Sequence, residues 1–193
     1  MQVRTTGIIK SMDLPTGFVL AHQEAGTRGA NWLRKYGPAG DKSVEICDVY
    51  RGYPQVPIDN ERLRELLAKA PLVVFDKATD VCDTDSIKQM SLALGNVGDN
   101  QLTNRLSGLS GPMFELEKLV ADFVGGRSVI RVEGWFHDAG FKPDKFFSGI
   151  FFDATPEDEN ARVEELFLQC ESLNQQLQYR PAFDQLLASI KWK

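Results

Sequence analysis

Chemistry near neutral pH needs a titratable side chain held beside a partner, and this chain offers few such arrangements. There are two histidines, His22 and His137. His137 is followed by Asp138, just beyond the end of a strand-like run, where a side chain can reach solvent and act as a general base. An ordinary loop histidine occupies the same kind of place, and the sequence supplies no companions beyond Asp48 and Glu133 as flanking carboxylates. No catalytic residue is therefore expected, with His137 and Asp138 the candidates if there is one. Neither histidine has a cysteine or second histidine at metal-ligand spacing, so no metal site is expected.

Four carboxylates, Asp76, Asp80, Asp83 and Asp85, invite comparison with a hard-cation loop, which needs several oxygens from a short segment. The glycine and closing glutamate of an EF-hand loop are missing, so a solvated loop with Asp85 or Thr84 capping a following helix is the plainer reading. Ser107 to Gly111 misses the G-x-S-x-G spacing of a nucleophile elbow. Gly95 and Gly98 fit no phosphate-binding loop. No cofactor is expected.

Aromatic side chains are the stronger signal. Trp32, Tyr36, Tyr50 and Tyr53 lie on or beside the N-terminal strands, while Trp135, Phe136, Phe141, Phe146, Phe147, Phe151 and Phe152 crowd the C-terminal ones. Within 146–152, Phe146 and Phe152 point one way and Phe147 and Phe151 the other. Either helices cover both faces, or one aromatic face awaits a partner or a second copy. On the second view Trp32, Tyr36, Tyr53, Trp135, Phe141 and Phe147 are the candidate binding residues.

The elements that would position these groups read as follows. Gly17 to His22 is a short strand; 30–36 and 43–51, around the turn Gly37-Pro38-Ala39-Gly40, form a hairpin. In the second of these strands Val44, Ile46 and Tyr50 share a face, and Asp48 is the inconsistent member. Asp59 caps a helix carrying Leu63, Leu66, Leu67 and Ala70 at helical spacing. Leu72 to Phe75 is a short buried strand or core entry, and Ser86 to Leu94 can form a helix. Residues 113–124 fit either helix or strand.

Gly125-Gly126 is a hairpin dipeptide leading into a strand over 127–136. Strands over 145–153 and 162–170 complete a meander, antiparallel because connections of roughly eight residues are too short for parallel crossovers. Pro181 opens a last helix with Phe183, Leu186, Leu187 and Ile190 on one stripe. The fold class is α+β: an antiparallel β-sheet with a C-terminal β-meander, packed against helices that include a C-terminal one. One domain spans 1–193, with a flexible excursion at 95–112.

Composition agrees with this picture. With 42% hydrophobic and 25% charged residues, the chain lies near the globular average. A formal charge of -5 argues against nucleic acid as partner. The broken apolar stretches of the first residues fit neither a secretory h-region nor a membrane span. Cys47, Cys82 and Cys170 are widely separated, which suits reduced thiols in a cytoplasm.

The run G-G-R-x-V-I-R-V-E-G at Gly125 to Gly134, followed by Phe147 to Asp153, Val163 to Leu168, Pro181-Ala182-Phe183 and Leu187 to Trp192, resembles the PsbP-like fold. That resemblance covers about the last seventy residues, and the excursion between Asp76 and Pro112 departs from the compact family pattern. Members include photosystem accessory subunits, a nuclear-transport factor and chaperones for secreted bacterial effectors, which implies binding a partner. It carries over no functional residue. The expectation is a non-catalytic, cytoplasmic protein-binding module, such as a chaperone, adaptor or immunity-type protein. An enzyme with a site at His137 and Asp138, and a homo-oligomeric structural protein, are the alternatives.

Overall fold

The computed structural model describes residues 1–3, 7–25, 31–51, 60–86, 115–136, 145–157 and 162–193. Five strands come first: β1 (Gln2–Val3), β2 (Ile9–Asp13), β3 (Phe18–Ala25), β4 (Asn31–Pro38) and β5 (Val44–Arg51). Helix α1 (Asn60–Ala68) precedes β6 (Leu72–Asp76) and β7 (Val81–Cys82). The later part comprises β8 (Glu115–Val124), β9 (Arg127–Phe136), β10 (Lys145–Asp153), β11 (Val163–Cys170), helix α2 (Leu173–Ser189) and β12 (Lys191–Trp192).

Nine strands form one sheet in the order β3-β4-β5-β11-β10-β9-β8-β6-β7, and every pairing in it is antiparallel. The expected α+β class, the antiparallel meander and the covering C-terminal helix are all present. A second, three-stranded sheet, β1-β2-β12, is absent from the sequence reading. Its strands are two to five residues long, too short to show a period.

Residues 115–124 are strand, which settles the helix-or-strand ambiguity. The register shifts between Leu116 and Lys118 in the β8–β9 pairing, so a bulge puts Leu116 and Leu119 on one face despite their three-residue spacing. Gly125 and Gly126 have φ of +55° and +82°, the two positive values of a type I′ turn, which glycine adopts without steric cost.

The last helix starts at Leu173, and Pro181 lies inside it. Ser172-x-x-Gln175 is a capping-box pattern: the Gln175 backbone N–H donates to Ser172 Oγ at 3.2 Å. The missing N–H of Pro181 costs one helical hydrogen bond. Packing offsets that loss, because Phe183, Leu186 and Leu187 beyond the proline are all buried.

Both faces of the central strands are covered. On β10, Ile150 and Phe152 join a core with Val44 and Ile46 of β5, Ile9 and Met12 of β2, and Phe183 and Leu187 of α2. Phe147 and Phe151 face the other way, into a core with Leu63 and Leu66 of α1, Leu119 of β8 and Ile130 of β9. Burial on both sides is why this segment is continuously apolar instead of alternating. No helix among the described residues is long and apolar enough to cross a membrane. The expected excursion at 95–112, residues 87–94 of the expected helix and its predecessor's cap, Asp59, lie outside the described residues.

Gly149 sits opposite Phe167 on β11 and Val132 on β9. A Cβ there would stand 2.6 Å from the Leu166 carbonyl oxygen and 2.7 Å from the Phe167 Cα. Those are backbone atoms of the neighbouring strand and cannot swing aside. Gly149→Ala is therefore expected to destabilise the fold by about 1–3 kcal/mol through overpacking, seen as a lower urea midpoint at unchanged m-value.

Candidate functional site

Helix α2 packs on β10 and β11 and reaches β9 through an ion pair. Phe146 of β10 pairs with Trp135 of β9, and both rings are half-buried on the face that α2 covers. Two residues back along the same face, Glu133 accepts from Arg180 Nη2 at 2.6 Å, and Arg180 Nε also donates to Asp184 at 3.2 Å. Hydrogen bonding to Glu133 raises the Arg180 pKa, so this cation is fixed. Gln176 Nε2 donates to the Phe147 carbonyl at 3.0 Å, anchoring the first half of α2 to β10.

Leu173 and Leu177 lie on the same helical stripe as Arg180, one turn apart. They are 50% and 63% exposed. Leu173 and Leu177 on α2, with Trp135 and Phe146 on the sheet face that α2 covers, make the candidate apolar shelf. The two leucines escape the sequence reading because a helix begun at Pro181 excludes them. Their four-residue spacing downstream of the Ser172 cap is the signal that could have found them.

The other candidate binding residues divide into two groups. Tyr36 is 3% exposed and Phe147 6%; each belongs to one of the two cores, so neither is a contact residue. The two cores lie on opposite faces of the sheet, and both faces are covered. Trp32 is placed by its backbone alone, opposite Tyr50. Tyr53, Phe141, His137 and Asp138 lie outside the described residues. Of the carboxylates suggested as flanks for His137, Glu133 is paired with Arg180 and Asp48 is fully buried.

The acidic run reads as structure. Asp76 accepts from Lys118 Nζ at 2.9 Å and from the Ala78 backbone N–H at 3.0 Å. Asp83, neither Asp85 nor Thr84, supplies the cap, taking the Ser86 backbone N–H at 3.1 Å and its hydroxyl at 2.6 Å. These hydrogen bonds hold both carboxyls below the usual range. Among the described residues no group of three His, Cys, Asp or Glu side chains could hold a metal ion.

Two acids occupy the apolar face shared by β5 and β11. Asp48, opposite Leu166, and Glu164, opposite Tyr50, are both fully buried. Glu164 Oε2 accepts the Ile8 backbone N–H at 2.8 Å. Gly7 lies so close that a Cβ on it would overlap the Glu164 carboxyl. This contact docks the N-terminal segment onto β11. Burial pushes the Glu164 carboxyl up to about 8, the Asp48 charge adds to that, and the Ile8 hydrogen bond with the charges of Lys193 and Arg127 opposes it.

An unfolded chain ionises this group near its ordinary 4.5, whereas the native chain keeps the proton until about 8. Between those values the native state binds more protons, so its stability falls as pH rises, by up to ~1.4 kcal/mol per pH unit from this group. Glu164→Gln should flatten the loss of unfolding free energy between pH 5 and pH 8, followed by urea titration at each pH. Equal slopes in the two proteins would refute the assignment. Burial also pushes the Cys47 and Cys170 thiols up to about 12, while Cys82 is exposed. Iodoacetamide should modify native protein at Cys82 and spare the other two, as mass spectrometry of the digest would show.

No protein-family model matches the chain, and no curated protein is significantly similar to it.

Proposed function

We propose that this chain is a non-catalytic protein-binding module, of the chaperone, adaptor or immunity-protein kind, and that it takes its partner on the Trp135–Phe146–Leu173–Leu177 shelf. The observation that carries the reading is the pair of leucines, each at least half exposed on a helix otherwise anchored by Gln176, Arg180 and Phe183. Folding alone does not need them: the buried stripe of α2 is Gln176, Phe183, Leu186 and Leu187. Exposed apolar groups beside half-buried aromatics are the composition of an interface core. The likeness of residues 125–192 to the PsbP-like fold favours the same class of function, as does the structural use of Asp48, Asp76, Asp83 and Glu133. Three free thiols suit a reducing compartment.

The test is a matched pair of baits, the wild-type chain and the Leu173→Lys/Leu177→Lys double variant, presented to lysate of the source cells. Wild type should retain a defined protein partner, and the double variant should bind it at least about tenfold more weakly at unchanged melting temperature. Sedimentation of both proteins over a concentration series separates a foreign partner from a second copy of this chain. A wild-type chain that stays monomeric and retains nothing, or a double variant that binds as well as wild type, defeats the proposal.

A further inference from the structure

The two edges of the large sheet are built differently. At one edge β7 is two residues long, and at the other β3 runs for eight. Among the described residues no strand pairs with the outer side of β3. Every residue from Val19 to Glu24 is exposed, so this stretch is open to solvent on both faces of the sheet. A free edge presents a row of backbone N–H and C=O groups to another strand. Short strands, prolines and lysines protect such edges; β7 is short, whereas β3 contains neither proline nor lysine.

A register shift between Leu20 and His22 bends the first half of β3. Beyond it His22, Gln23 and Glu24 pair one to one with Lys35, Arg34 and Leu33 of β4. This regular part restricts what can be added. Two copies of one strand pair antiparallel, edge to edge, about a two-fold axis normal to the sheet, and each residue then stays on its own face. Opposed residues must therefore be an even number apart, so the axis passes through a residue.

Three centres fall in the regular part. An axis at His22 sets that histidine against itself and Glu24 against Leu20. An axis at Glu24 sets carboxylate against carboxylate. With the axis at Gln23, His22 faces Glu24 of the second copy, and Glu24 faces His22 of the second copy. Gln23 then meets its own equivalent, and two carboxamides can exchange donor and acceptor. Unlike groups directly opposite on neighbouring strands attract, and like charges repel, so Gln23 is the favoured centre.

The side chains stand ready for this arrangement. His22 and Glu24, two residues apart, share a face, with Nε2 2.7 Å from Oε1. They are 45% and 65% exposed. Lys35, opposite His22 on β4, is already paired with Glu45 at 2.9 Å. Across the axis the two His22–Glu24 pairs would close into a ring in which imidazole and carboxylate alternate.

We infer that the β3 edge is a self-association site, at which a second copy of this chain adds its own β3 antiparallel about a two-fold axis at Gln23, joining the two large sheets into one. A single strand pair is a small interface, so the dimer is weak and concentration-dependent. The shelf on α2 is a different surface, and the two readings stand or fall separately.

The experiment is sedimentation equilibrium of the full chain over a concentration series reaching about 1 mM, with wild type, His22→Glu and the exchanged pair His22→Glu/Glu24→His. Wild type should pass from monomer to dimer mass. His22→Glu sets carboxylate against carboxylate on both sides of the axis and should weaken the dimer at least about tenfold. The exchange restores histidine opposite glutamate and should return the affinity to within about threefold of wild type. Both positions are exposed, so the melting temperature of the dilute proteins should not move. A wild type that stays monomeric throughout, a His22→Glu variant that dimerises equally well, or an exchanged pair that does not recover overturns the inference. So does a dimer lost in Leu173→Lys/Leu177→Lys and kept in His22→Glu, which belongs to the shelf.

Discussion

Burial of β9, β10 and β11 on both faces is the constraint from which the rest of the architecture follows. An antiparallel sheet with one wet face could alternate apolar and polar residues, but here each residue of β10 from Phe147 to Asp153 is buried. Two separate layers must then exist. Helix α1 supplies one through Leu63, Leu66 and Leu67; helix α2 and the small sheet supply the other through Phe183, Leu187, Ile9 and Met12. Gly149, pressed against the backbone of β11, shows how little slack that sandwich leaves.

Trp192 joins the layers at one end. Its indole N–H donates to the Val124 carbonyl at 2.9 Å, its ring meets Phe152 edge to face at 4.9 Å, and Arg127 lies over it. The same residue, in β12, pairs with Ile9 of β2. One side chain therefore connects the β8–β9 turn, the centre of the large sheet and the small sheet. It also orients the Arg127 guanidinium.

Much of the large sheet is legible in the residues themselves. Alternation of Ile130, Val132 and Phe136 with Arg131, Glu133 and Trp135, the Gly125-Gly126 turn and the Phe-rich run of β10 mark these strands, and short connections leave the direction of pairing no freedom. Legibility ends where local order is broken. A bulge at Glu117 disguises β8, a proline inside α2 disguises the true start of that helix, and strands of two residues carry no pattern at all. For the candidate site, Trp135 is readable as an aromatic on a strand, yet its partners Leu173 and Leu177 depend on locating the Ser172 cap. Tyr36 and Phe147 show the converse problem. Periodicity tells which way a side chain points, and only tertiary structure tells whether something lies on top of it. Asp48 is a third case, since its mismatch with Val44 and Ile46 reflects a buried polar position and not a misplaced strand.

The pairing of β5 with β11 has a kinetic consequence. Every other pairing in the large sheet joins strands that, among the described residues, are neighbours in the chain or are separated by a single short strand. Two ribbons, β3 to β5 and β6 to β11, can each zip up locally, but the β5–β11 seam brings Cys47 opposite Phe167 and so closes a loop of more than a hundred residues. Closing so long a loop is slow because its entropic cost precedes the contacts that repay it. Asp48 and Glu164 straddle that seam, so the two halves weld together only as these acids leave water.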